Sequence, residues 1–234
     1  MIVGDDYRIH TFLPPNYSPD QAYPTIYLLD GDWFTEDVAK EMERMIHEKT
    51  IPSCILIGIG YPENAGLKRF RDYTFSADSE YSFQTGEAHA FYTFVEEELI
   101  PWIDQQYLTD TTKRVLMGHS LGGLNTYYHL FQFPQTSFSG FVPVSASLWW
   151  KDTQAFALEE ELKSRVAELP VQVYMAIGGD EPPSMTAINE EMVERMDSRQ
   201  YSGLELEYIF YKGASHSQVP LQGFMDGLTF TLNH

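Results

Sequence analysis

Apolar residues in this chain fall into short continuous runs, separated by stretches where they recur every third or fourth position. Residues 25–29, 54–59, 114–117, 140–144, 171–177 and 204–210 are runs of strand length, each closed by a turn rich in Gly, Ser or Asp. Residues 7–13 alternate loosely and predict an earlier strand that Pro14-Pro15 ends. Residues 34–47, 121–133, 153–168, 185–199 and 219–232 carry helical spacing. So do Phe91, Phe94, Val95, Leu99 and Trp102, a stripe that predicts core packing with Glu96, Glu97 and Glu98 partly toward solvent. Residues 61–85 predict a long irregular loop rich in Tyr, Phe, Ser and Asp, of the kind that usually serves function. Strand-length runs alternating with helices predict an α/β fold with a mostly parallel central sheet and helices on both faces, read as one domain over residues 1–234. Ligands bind such sheets at the carboxyl ends of the strands. Asp30-Gly31, Ser120, Trp149, Glu181 and His216 all fall just after strands.

The 234 residues are 43% hydrophobic, enough for a substantial core, and contain no apolar run long enough to span a bilayer. A formal net charge of -19 argues against nucleic acid or an anionic membrane as partner and disfavours a strongly anionic small molecule. The cluster Lys68, Arg69 and Arg71 could offset that field locally, or be a solvated loop. Cys54, the single cysteine, lies in an apolar run and reads as a core residue. Met1-Ile2-Val3-Gly4-Asp5-Asp6 has neither a basic nor an apolar leader segment, so the expected compartment is the cytoplasm, or the periplasm had a leader been removed.

The chemistry concentrates at Gly118-His119-Ser120-Leu121-Gly122-Gly123, between a buried strand and an apolar helix. This is the pattern of a nucleophile elbow in an α/β-hydrolase fold, with Ser120 as nucleophile. A serine hydroxyl needs an adjacent base. His216, after the last strand and before the last helix, fits that place, whereas His119, beside the nucleophile, is expected to point elsewhere. Asp180 and Glu181 both qualify as the acid that orients the imidazole. The oxyanion hole is expected from the N–H of Leu121 and of Gly31 or Asp32, with glycine at 31 letting the backbone approach the ligand. No His-Glu-x-x-His or Cys/His cluster is present, so neither metal nor cofactor is predicted.

Several segments resemble the Putative esterase family of α/β-hydrolases, which includes the enterobactin and bacillibactin trilactone esterases, esterase D, feruloyl esterase domains and the mycolyltransferases. The segments are Tyr23-Pro24-Thr25-Ile26-Tyr27-Leu28-Leu29-Asp30-Gly31-Asp32, Arg71-Asp72-Tyr73-Thr74-Phe75, Glu98-Leu99-Ile100-Pro101-Trp102-Ile103, the elbow, Ser147-Leu148-Trp149-Trp150 and Ser215-His216-Ser217. The resemblance, strongest to the siderophore-esterase subgroup, implies a serine esterase acting through an acyl-enzyme on a siderophore lactone or an aryl or acyl ester. It favours Glu181 over Asp180, although some members work with a Ser–His dyad. The aromatic-rich loop around Tyr61, Phe70, Tyr73 and Phe75, with Trp149 and Trp150, is read as an aromatic substrate pocket or as simple packing of a long loop, and Arg71, beside the family-matching Asp72-Tyr73-Thr74-Phe75, as a contact for an anionic substrate. The net charge departs from siderophore esterases, which must accept anionic catecholate complexes. Acyl transfer to an alcohol other than water would use the same residues, and a binding module on a retained hydrolase fold is the non-enzymatic alternative.

Overall fold

Apolar side chains on both faces of the strand segments demand cover on both sides of a sheet. The computed structural model, which describes residues 4–233, supplies it. His234 and the first three residues of the N-terminal stretch lie outside the described residues. The strands are β1 (Arg8–Phe12), β2 (Tyr23–Leu28), β3 (Ile55–Gly60), β4 (Thr109–His119), β5 (Gly140–Val144), β6 (Gln172–Gly178) and β7 (Glu205–Tyr211). They form one sheet in the order β1-β3-β2-β4-β5-β6-β7. β1 pairs antiparallel with β3, and every other neighbouring pair is parallel.

Period-two alternation divides the strand side chains between two cores. Ile26 and Leu28 of β2, Val115 and Met117 of β4, and Val142 and Val144 of β5 face α1 (Gly31–His47) and α8 (Val219–Leu232). Tyr27, Leu116 and Phe141 enter the opposite core with the other helices. A one-residue slip of β2 would exchange the two sets, so the double core fixes the register. Cys54 is buried in the first core. α5 (Leu121–Phe131) has every one of its residues buried and no solvent face.

Four local departures from the sequence pattern have identifiable causes. α1 starts three positions before the periodic segment, because Asp30 adopts a left-handed conformation (φ 55°, ψ 40°) and turns the chain from β2 into the helix at once. The interval 61–85 is not wholly irregular: α2 (Ala65–Tyr73) lies inside it, its pattern obscured by Gly66 and three closely spaced cations. The stripe that includes Trp102 is broken. α3 (Ala88–Thr93) runs into a π-helical stretch, Phe94–Leu99, and then into α4 (Ile100–Gln106). Pro101 has no N–H to give the preceding turn, and the helix widens just before it. The extra residue in that turn shifts the register, so Ile103 is fully buried and Trp102 is 47% exposed. Finally, α6 (Trp150–Arg165) contains three left-handed residues, Lys151, Asp152 and Thr153, so its regular part begins at Gln154, one position after the start of the periodic segment. The last of the helices, α7 (Pro183–Ser198), follows β6.

Candidate active site

β4 ends at His119 and α5 begins at Leu121, so Ser120 alone makes the turn. Its backbone has φ 59° and ψ −117°. That region is unfavourable for a residue with a Cβ by about 1–3 kcal/mol and persists only where surroundings impose it. Here Ser120 N–H donates to Val144 O at 3.0 Å, and Ser120 O accepts from the N–H groups of Leu124 and Ser147, each at 3.0 Å. Gly118 is required by close approach: a Cβ there would stand 2.3 Å from the carbonyl of Gly122. Glycine at 118 therefore lets the helix fold back onto its own strand.

The turn after β7 brings His216 to the same edge. Its Nδ1 lies 2.7 Å from Glu181 Oε2. Glu181 follows β6, its side chain is fully buried, and its other oxygen, Oε1, accepts from Ser145 Oγ and from Gly178 N–H, the latter at 3.0 Å. Burial opposes ionisation of this carboxyl, but the hydrogen bonds from His216, Ser145 and Gly178 outweigh it and hold it below the usual carboxylate range. Of the two acids left open by sequence, Glu181 is the one that meets the imidazole, while Asp180 is exposed on the turn.

His119 does not point away from the site. Its ring is buried, with its centroid 4.3 Å from that of His216. Burial, reinforced by the charges of His216 and Arg69, pushes its imidazole down to about 3, so it stays neutral at ordinary pH. Ser120 Oγ forms its hydrogen bond with Ser147 Oγ at 3.2 Å, and no Ser120–His216 hydrogen bond is made among the described residues. Such contacts are often long before substrate binds.

The expected oxyanion donors sit at helix starts. Leu121 opens α5, and Gly31 and Asp32 open α1, where backbone N–H groups have no acceptor within the helix. Glycine at 31 is also required by packing. A Cβ there would come within 2.7 Å of Gly58 C and Ile59 N, so its absence lets α1 pack on β3. The Asp32 carboxylate turns toward β1 and β3, accepting from Arg8 at 2.9 Å and from Tyr61 N–H at 2.5 Å.

The expected substrate-binding set is dispersed. Arg71 is no free clamp: it donates to Asp72 at 2.6 and 2.9 Å and to Asp5 at 2.6 Å, with its side chain 13% exposed. Lys68 pairs with Asp5 at 2.8 Å. Arg69 grips both oxygens of buried Asp30 at 2.8 Å, so the cluster is neither a solvated loop nor an unpaired cationic patch. Tyr73 is fully buried, its hydroxyl accepting from Asp30 N–H at 3.1 Å. Trp150 is buried against Tyr81 and Phe70 and packs the loop rather than facing it. Trp149, in contrast, is 46% exposed. Sequence reasoning missed Ser145, Ser147 and the contact of His119 with His216. Two serines spaced i, i+2 in a turn after a parallel strand were the available signal.

A family model described as Putative esterase matches residues 1–224. Ferri-bacillibactin esterase BesA of Bacillus subtilis (strain 168) is 28% identical over 233 residues, which cover 91% of this chain and 80% of that protein. Among solved structures, the BES protein from Bacillus cereus superposes with a TM-score of 0.90 at 30% identity, over 99% of this chain and 91% of the other. An IroE-like serine hydrolase from Shewanella oneidensis gives 0.87 at 27% identity, over 97% and 76%.

Proposed function

This chain belongs to the Putative esterase family and is a carboxylic ester hydrolase of α/β-hydrolase fold, and from that premise we propose that Ser120, His216 and Glu181 carry the reaction on a siderophore-type ester. The observation that carries the reading is the His216–Glu181 contact at 2.7 Å, on the sheet edge where Ser120 is held in its strained turn. With Nδ1–H given to Glu181, the Nε2 lone pair of His216 is free to take the serine proton. Oγ then bonds to the ester carbonyl carbon, and the carbonyl π pair moves to oxygen. The N–H of Leu121 and a second N–H from Gly31 or Asp32 stabilise that oxyanion. Collapse expels the alcohol, which takes the proton from His216, and water repeats the sequence on the acyl-enzyme. Glu181 stays ionised and balances the imidazolium. Trp149, exposed after β5, offers an aromatic surface to the substrate.

The Bacillus subtilis relative BesA is named for ferri-bacillibactin. In this chain Lys68, Arg69 and Arg71 are each matched by a carboxylate, and the net charge is -19. Both favour the metal-free ester over an anionic ferric complex. A fluorophosphonate probe should add to Ser120 in the folded protein and to no residue of Ser120→Ala, whose turnover should fall by several orders of magnitude. Ester hydrolysis by Ser120→Ala within tenfold of wild type would overturn the assignment. A higher kcat/KM on the ferric than on the metal-free lactone would overturn the substrate preference.

A further inference from the structure

The turn after β5 reads Ser145-Ala146-Ser147, and its two hydroxyls serve opposite ends of the site. Ser145 binds Glu181, whereas Ser147 Oγ lies 3.2 Å from Ser120 Oγ. Ser147 is 2% exposed, and the backbone around it builds its position. Its N–H donates to Ser120 O at 3.0 Å, and its carbonyl accepts from Trp150 N–H at 3.1 Å. The adjacent Ala146 carbonyl accepts from Leu148 N–H at 2.8 Å and Asn189 Nδ2 at 3.0 Å, and Ser145 N–H donates to Ala176 O at 2.7 Å. Among the described residues, Ser120 Oγ is the one hydrogen-bond partner of the Ser147 hydroxyl. Attack requires the Ser120 proton to face His216. In the reactive arrangement Ser147 is therefore the donor and Ser120 Oγ the acceptor.

We propose that Ser147 is a further catalytic residue, a donor to Ser120 Oγ that speeds release of the acylated serine; this rests on Ser120 being the nucleophile. The argument is one of differential binding between states. In the acyl-enzyme, Oγ is an ester oxygen whose lone pair is delocalised into the carbonyl, and it accepts weakly. During deacylation a water oxygen bonds to the acyl carbon while His216 takes the water proton, and the carbonyl π pair moves to the oxyanion. When that pair returns, the C–Oγ bond breaks with its electrons going to Oγ, and the proton on His216 passes to Oγ as the carboxylic acid leaves. Ser147 keeps its own proton throughout. Its hydrogen bond strengthens as charge gathers on Oγ, so it lowers the barrier to this collapse. In the acylation half the change runs the other way, since Oγ loses electron density as it bonds to carbon, and the same contact gives no acceleration. The residue thus trades a neutral or slightly slower attack for a faster release.

The test is Ser147→Ala, a change of one oxygen atom in a site the backbone already shapes, with p-nitrophenyl acetate as substrate. The acetyl group on Ser120 is followed by intact-mass spectrometry during and after turnover. Decay of acetyl-Ser120 should slow about tenfold, the rate equivalent of one ordinary hydrogen bond. KM should fall with kcat, a nitrophenol burst should appear, and kcat/KM and the rate of fluorophosphonate labelling should hold or rise. Ser147→Thr, which keeps the hydroxyl, should recover most of the decay rate. Equal losses in kcat/KM, labelling rate and kcat would mean that Ser147 merely shapes the nucleophile for attack, and unchanged decay of the acetyl group would mean that its hydroxyl is idle; either result overturns the proposal. Absence of any Ser120 adduct in the wild-type protein is a separate outcome, which removes the nucleophile assignment and this role with it.

Discussion

Replacing Glu181 with glutamine should be more damaging to turnover than deleting its side chain. The two carboxylate oxygens have different work. Oε1 accepts from Gly178 N–H at 3.0 Å and from Ser145 Oγ, and Oε2 faces His216 Nδ1 at 2.7 Å. A backbone N–H cannot reverse its role, so the glutamine carbonyl must take the Oε1 position and its NH2 must face His216. That NH2 donates, which makes Nδ1 an acceptor and puts the imidazole proton on Nε2, the nitrogen that should receive the serine proton. The analogous wrong-tautomer substitution in the Ser-His-Asp template costs about 10⁴ in kcat. Glu181→Gln should therefore lose about 10³–10⁴ in kcat with little change in KM. Glu181→Ala leaves His216 free to choose its tautomer and should lose less turnover. It should also be the less stable variant, because the Ser145 and Gly178 donors are left unsatisfied in a buried place at about 1–3 kcal/mol each. The assay is steady-state hydrolysis of a p-nitrophenyl ester, paired with thermal melts to normalise for folded protein. Glu181→Gln within tenfold of wild type, or more active than Glu181→Ala at equal folded fraction, would refute the reasoning.

The same carboxyl gives an acid-side dependence of stability. Its folded pKa is depressed, so its contribution is fully present above its unfolded value of about 4.3 and is lost as pH falls through the lower folded value. The gap in melting temperature between wild type and Glu181→Gln should narrow on acidification from pH 6 through this range; a constant gap down to pH 3.5 would contradict it. Arg71→Met leaves Asp72 and Asp5 without their shared cation, so it should lower stability and reduce turnover of neutral and anionic esters alike. A KM rise confined to anionic esters would instead return Arg71 to substrate binding.

Elements were legible in the sequence wherever one periodicity ran without interruption. The strand runs of β2 to β7 and the helices α5 and α8 announce themselves by continuous or strongly patterned apolar content. α2 did not, because its buried face carries Asp72 and Tyr73 and its cations are paired through space with residues up to 66 positions away. Trp102 misled because the π-helical turn adds a residue that a 3.6-residue period does not count. Around the candidate site, chain order pointed to Ser120 and His216 because an elbow and a last-strand histidine are local features. Residue pattern alone left Glu181 and Asp180 level and the resemblance favoured Glu181; what separates them physically is burial, the neighbouring Gly178 N–H and two partners distant in sequence, Ser145 and His216. The role of the basic cluster was invisible for a related reason: apart from the neighbouring Asp72, its counter-charges, Asp5 and Asp30, are distant in sequence, and composition counts charges without pairing them.

The wholly buried α5 bears on how this enzyme comes apart. A helix with no solvent face cannot fray outward without exposing both of its neighbours, so its amides should be among the last to exchange with deuterium. Ser120 is fastened to that element and to the central strand β4. His216 rides on a turn, with its side chain 41% exposed, held by Glu181 and by the ring of His119. The two halves of the proposed proton relay thus belong to parts of the molecule with different opening energies. Mild denaturant should uncouple the base while the nucleophile is still in its turn, and activity should fade ahead of global unfolding. Recovery would then need only the re-docking of one short turn, so early inactivation should reverse quickly and without the lag of refolding a sheet.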